Sequence, residues 1–185
     1  MRRISYRFRP VQTMIPSLIV ALLLFVAPVQ AEAGNTPEFF SVFLIRHAEK
    51  DPSPPDPSNP SLSECGKLRA ETLAVILADA KLQKIYSTDY ERTLATARPI
   101  AATLSLEIEI YDPRELDEFA QSLKGRQQSV LVVGHSNTTG VLAGILAAEE
   151  QEEFDEAIYD RLYQVVISGE QRWKTLLHQG FRCDP

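Results

Sequence analysis

The run Phe39–Lys50, FFSVFLIRHAEK, limits the fold more than any other stretch of the chain. Its apolar, β-branched residues read as a buried strand, and the run stops abruptly at Arg46 and His47. A second run, Ser129–Gly134 (SVLVVG), stops the same way at His135, Ser136 and Asn137. Near-continuous apolar strands of this kind are covered on both faces, which requires a parallel sheet between helices. Open sheets of that kind bind ligands outside their carboxyl edge. There an arginine fork beside an imidazole suits an anion.

The rest of the chain fits that frame. Asp51–Ser63 (DPSPPDPSNPSLS) is too rich in proline for a helix and reads as an extended loop beside the site, either shaping entry or serving as a rigid connector. Ser63 is an N-cap for a helix to about Ala80, with Leu68, Leu73, Ile76 and Leu77 on its apolar face. A short strand at Gln83–Ser87 precedes a helix from Asp89 to about Leu104, where Pro99 predicts a kink or break. Leu106–Tyr111 alternates as a third strand. Asp112-Pro113 then turns into a helix ending near Lys124, with Gly125 as its cap. A helix from Thr138 to Glu149 follows the second apolar run. The acidic stretch Glu149–Glu156 reads as a solvated helix end. Tyr163–Ser168 and Arg172–His178 close the chain as a strand pair around Gly169-Glu170. Strands alternating with helices predict a three-layer αβα sandwich with a mostly parallel central sheet.

The first 33 residues stand apart. Arg2, Arg3, Arg7 and Arg9 precede an apolar run from Met14 to Ala27, and Ala31-Glu32-Ala33 has the small-x-small form of a cleavage site. This is the layout of a secretory signal peptide. Pro16 and Pro28 bound a run shorter than the ~20 apolar residues of a membrane span. The expected division is a leader over 1–33 and one domain over 34–185. The destination is periplasmic or secreted, with no stable membrane insertion after cleavage. The whole chain carries a net charge of −6 from 19 basic and 25 acidic residues. Loss of four arginines and Glu32 leaves 15 and 24, or −9. That balance opposes sequence-independent binding to nucleic acid. In an oxidising compartment Cys65 and Cys183 have the option of pairing, and their spacing leaves paired and unlinked thiols equally open.

Three strands end in suggestive residues. The first ends in Arg46 and His47, the second leads within a turn to Arg92, and the central one ends in His135. Two imidazoles and two guanidiniums at one sheet edge make a pocket for a phosphoryl group. One imidazole attacks phosphorus, and the cations neutralise the equatorial oxygens of an in-line transition state. The helix after His135 turns its N-terminal amides to the same anion.

The motifs then resemble a known family. LIRHAEK is similar to the Arg-His-Gly signature of the histidine phosphatase superfamily, the phosphoglycerate mutase-like fold. LSECGKLRA (Leu62–Ala70), YSTDYERTLATA (Tyr86–Ala97) and VVGHSN resemble its next three motifs, in the same order. The resemblance implies that His47 is the nucleophile and becomes phosphohistidine. It also implies that Arg46, Arg92 and His135 bind and stabilise the phosphoryl group, with Ser136 beside them in the phosphate pocket. Ala48 departs from the usual glycine, and Ser136-Asn137 from the usual small residues. The chain has no room for the insertions with which mutases hold a phosphoglycerate, so the implied activity is a phosphatase. Its substrate is a phosphorylated small molecule or phosphoprotein, with no cofactor and no metal.

The proton donor is open among Asp112, Glu115, Asp117 and Glu118, with Glu115 the selected candidate and no acid at all a further alternative. Each is also a first-turn acid suited to a helix N-terminus. A rival reading takes GHSNT as a nucleophile elbow, with Ser136, Asp160 and His178 as a serine esterase triad. Thr138 stands where that turn wants glycine, and the reading leaves Arg46, His47 and Arg92 unused. A third reading, an inactive phosphate-binding module, has no residue in its favour. The sequence leaves the oligomeric state and the identity of the substrate open.

Overall fold

The computed structural model describes residues 39–183; the expected leader lies outside them. The first apolar run forms β1 (Phe40–Arg46), buried along its whole length. The second forms β4 (Val130–Gly134), and the two pair in parallel from Val42↔Val130 to Arg46↔Gly134. Between them lie α1 (Glu64–Ile76), β2 (Lys84–Ser87), α2 (Glu91–Leu104), β3 (Ile108–Ile110) and α3 (Leu116–Arg126). After β4 come α4 (Thr139–Ala147), β5 (Arg161–Ser168) and β6 (Gln171–His178). The strand order is β3-β2-β4-β1-β5-β6. The first four strands run parallel, and β5 and β6 add antiparallel at one edge.

Alternation along β1 separates two cores. Val42 and Leu44 pack with Val130, Val132, Leu123, Leu142 and Leu146 under α3 and α4. Phe43 and Ile45 pack with Leu131, Val133, Leu73, Leu77 and Ile100 under α1 and α2. These two faces make the expected αβα sandwich.

Several local expectations change. Leu73 and Leu77 are buried on α1, but Leu68 and Ile76 are exposed, so its apolar face is narrower than the periodicity predicts. Pro99 does not break α2, which runs through it. Gly125 lies inside α3, and Gln127, at φ 52°, takes the left-handed cap instead. The acidic segment is not a helix end. Beyond α4 it leaves helical geometry, buries Phe154 and sends the Glu156 carbonyl to the Arg46 guanidinium.

The exit of β1 is held from beneath. Arg69 on α1 is 4% exposed and chelates both carboxylate oxygens of Glu49, two residues past His47, with its closest contact at 2.6 Å. The same guanidinium donates to the Gln179 side chain and the Phe181 carbonyl. Gly66 sits where a Cβ would fall 2.3 Å from the Glu49 carbonyl, so only glycine lets α1 approach this closely. Cys65 and Cys183 are bonded, with Cα atoms 5.8 Å apart, and tie the chain end to α1 across 118 residues.

The native protein should therefore show no titratable thiol until it is denatured and reduced. Replacing both cysteines by serine should lower the unfolding free energy by about 2–5 kcal/mol, the usual cost of losing a structural disulfide. Thiol titration and denaturant unfolding check both statements.

Candidate active site

The register of β1 on β4 decides the site. The His47 N–H donates to the Gly134 carbonyl at 2.9 Å, so the residues just beyond the two strand ends lie side by side. The His47 and His135 rings meet edge to face with centroids 5.5 Å apart. A Cβ at Gly134 would fall 2.8 Å from both the Thr138 and Tyr111 hydroxyls, so a larger residue would displace these side chains. Around the two rings is a cavity of about 550 Å³ whose lining includes Arg46, His47, Arg92, His135 and Ser136.

Each side chain has a visible support. The Arg46 Nη1 donates to the Glu156 carbonyl and, at 3.1 Å, to that of Ile158, while its guanidinium lies 4.2 Å over the Tyr159 ring. Arg92 stands in the first turn of α2, 4.4 Å over the Tyr90 ring. The Nε atoms of both arginines are buried and have no hydrogen-bond partner. The Ala48 N–H donates to the Thr96 hydroxyl, which donates to the Arg92 carbonyl, so the β1 exit and the α2 start are fastened together. His135 Nε2 lies 2.9 Å from the Thr88 hydroxyl, and Thr88 in turn donates to Thr93.

The tautomer of His47 follows from its neighbour. His47 Nδ1 lies 2.8 Å from the Ala48 carbonyl, an acceptor only, so Nδ1 carries the proton and Nε2 keeps the lone pair. Burial pushes the His47 pKa down to about 3, and the charges of Arg46, His135 and Arg92 add to the effect. Burial also lowers His135 to about 4, with Arg92 and Arg46 contributing. Both rings are neutral at physiological pH. An arriving dianion reverses the coulombic part of the depression and favours protonation of His135.

The carboxylates fall elsewhere than expected. Glu115 is exposed at the N-terminal boundary of α3 and does not line the cavity. Asp112 is turned to Arg114, and Asp117 and Glu118 lie exposed in the first turn of α3. The carboxylates on the cavity wall are Glu153 and Glu156, from the acidic segment. Glu156 pairs with Lys50 at 3.2 Å, and that hydrogen bond holds its carboxyl below the usual range. Sequence reasoning also missed Tyr90, Tyr159, Lys50 and Thr88. Of these, Tyr90 was the most accessible, since it stands two residues before Arg92. The proline-rich loop contributes no residue to the cavity wall; its Asn59 side chain accepts from the Glu91 N–H at the start of α2.

No serine triad assembles. His178 Nδ1 lies 3.0 Å from Asp160, but β6 is three strand positions from β4, roughly 14 Å at the usual spacing. The one cluster of potential metal ligands among the described residues is Glu49 with Cys65 and Cys183, and those thiols are spent in the disulfide.

Comparison with known proteins agrees with this geometry. The sequence model of the histidine phosphatase superfamily (branch 1) matches residues 42–121, which carry Arg46, His47 and Arg92. Over these 80 residues the chain is similar to the histidine phosphatase superfamily. It is 29% identical over 119 residues to phosphoserine phosphatase 1 of Hydrogenobacter thermophilus, a match covering 62% of this chain. The chain spans about half of that relative's length, 47%. Its fold is similar to the α-ribazole phosphatase of Shigella flexneri, with a TM-score of 0.62 at 16% identity over 78% of this chain and 100% of that one. It is equally similar to the protein histidine phosphatase SixA complexed with tungstate: TM-score 0.61 at 19% identity, over 74% and 97%.

If burial governs the His47 ring, its nitrogen resonances should remain those of the neutral Nδ1–H form from pH 8 down to pH 5. An ordinary imidazole, with a pKa near 6.5, is mostly protonated by then. Histidine-selective nitrogen NMR against pH makes the measurement.

Proposed function

We propose that the protein is a phosphomonoester hydrolase working through a phosphohistidine on His47. One observation carries the reading: a buried, neutral imidazole with its proton fixed on Nδ1, at a cavity lined by Arg46, Arg92 and His135. His47 Nε2 attacks phosphorus, so a P–N bond forms while the bond to the leaving oxygen breaks. The leaving oxygen takes up a proton from solvent, and the water that attacks in the next step returns one. A water then attacks the phosphohistidine, the P–N bond breaks, and inorganic phosphate and neutral His47 are released. Arg46 and Arg92 balance charge on the equatorial oxygens, and His135 is the nearest group able to take up a proton against them. Most of the catalytic power in such a site is electrostatic. The similarity to proteins that are phosphatases supports the reaction class.

Quenched labelling with a phosphorylated substrate tests the assignment. The label should survive base, be lost in acid, and disappear in His47→Ala together with turnover. Arg46→Ala and Arg92→Ala should each lower kcat by about 10²–10³. Ser136→Ala should retain most activity. An active His47→Ala protein, or a folded Ser136→Ala protein without turnover, would overturn the reading.

We also place the protein outside the cytoplasm. The layout of residues 1–33 and the bonded Cys65–Cys183 pair both support export, because structural disulfides persist in oxidising compartments. Intact mass of periplasmic material should show the chain starting near Gly34; retention of Met1 would count against export.

A further inference from the structure

A second cavity, about 560 Å³, lies against the first and shares Tyr90, Pro113 and Arg114 with it. Its position follows from the strand order. His47 comes from the end of β1 and His135 from the end of β4. Tyr90 follows β2, and Pro113 follows β3. Successive strands are roughly 4.8 Å apart. The second cavity is therefore on the far side of the phosphoryl pocket from His47. In-line transfer sends the leaving oxygen away from the attacking nitrogen, which is toward this side.

The walls there are apolar and aromatic. Ile110, on the edge strand, is 53% exposed, and Tyr90 is 39% exposed. Tyr90 is also braced: it carries the Arg92 guanidinium and meets the His135 ring at 5.2 Å and 89°. A braced ring beside an exposed isoleucine suits an aromatic group, which gains from offset or edge-to-face packing beyond its buried area. The rim has the opposite sign to the phosphoryl pocket. Asp89 and Asp112 both border it, and Arg114 is turned to the Asp112 carboxylate. Such a rim disfavours a leaving group bearing a second phosphate or a carboxylate. The hydrogen bond from Arg114 also lowers Asp112 to about 2, so this carboxylate has no proton to give at neutral pH. A phenol, which departs with less need of an acid than an alkyl alcohol, fits that setting.

We propose that this cavity is the leaving-group subsite and that it takes an uncharged aromatic alcohol, so that the preferred substrates are aryl phosphate monoesters. The inference rests on the phosphatase reading for its chemistry, and binding separates the two. The probes are (2-naphthyl)methylphosphonate and methylphosphonate, which cannot be hydrolysed, together with 2-naphthyl and phenyl phosphate, whose phenols have similar acidity. The full-length protein should bind the naphthyl phosphonate at least tenfold more tightly than methylphosphonate. It should also show a severalfold higher kcat/KM for naphthyl than for phenyl phosphate. Ile110→Asp should erase most of both preferences. Ile110→Ser, a milder change on the same exposed strand, should reduce them part-way with an unchanged Tm. Equal binding of the two phosphonates by the wild type, or preferences unchanged in both variants, would overturn the subsite. Preferential naphthyl phosphonate binding without hydrolysis of either ester would support the subsite and defeat the phosphatase reading instead.

Discussion

The hydrogen bond from the His47 N–H to the Gly134 carbonyl is where chain and chemistry meet. It is the last rung of the β1–β4 ladder, one residue past the pairing of Arg46 with Gly134. Because parallel strands run in the same direction, both deliver their next residues to one edge. The two imidazoles become neighbours only through that pairing. A one-residue slip would turn Arg46 and His47 to opposite faces and send the alternating core of β1 to the wrong layers. The two apolar layers that fix the register of β1 therefore also fix the position of the His47 ring.

Around that contact the protein sets charges that oppose one another. Among the groups on the cavity wall able to carry positive charge are Arg46, Arg92, His47 and His135, and burial keeps the two histidines neutral. The arginines remain charged but are anchored by carbonyls and tyrosine faces rather than by carboxylates. Arg46 holds the Glu156 and Ile158 carbonyls, and both arginines lie over aromatic rings. A carboxylate partner would cancel the field that an incoming anion meets; a carbonyl or a π face holds the side chain without doing so. Glu156 is a carboxylate on the same wall, but its side chain pairs with Lys50, and it is its backbone that serves Arg46.

The support beneath β1 follows the same division. Arg69 is buried and satisfied by Glu49, Gln179 and the Phe181 carbonyl, so its charge is spent in holding the strand exit and the chain end. The Cys65–Cys183 bond ties this group to α1, and neither cysteine lines the cavity. Buried ion pairs of this kind add little net stability against their desolvation. What they supply here is a fixed path for the backbone that carries His47.

The sequence by itself determined the layers, the strand ends and the four groups Arg46, His47, Arg92 and His135 that meet at the cavity. Apolar runs that stop at polar residues report burial and direction together, and Arg46, His47, Arg92 and His135 each lie at or within a turn of such a stop. It did not determine what lines the rest of the cavity. Glu153 and Glu156 looked like solvated charge, because nothing local distinguishes a segment that folds over a site from one that leaves it. Glu156 and Arg46 meet across 110 residues, and Cys65 and Cys183 across 118. Glu115 was selected for its closeness to the end of β3, yet it sits at the boundary of α3 and turns outward. Periodicity records which face of an element is buried. Which distant segment covers that face, and which carboxylate reaches a pocket, is settled by packing between elements, and only the tertiary structure decided it.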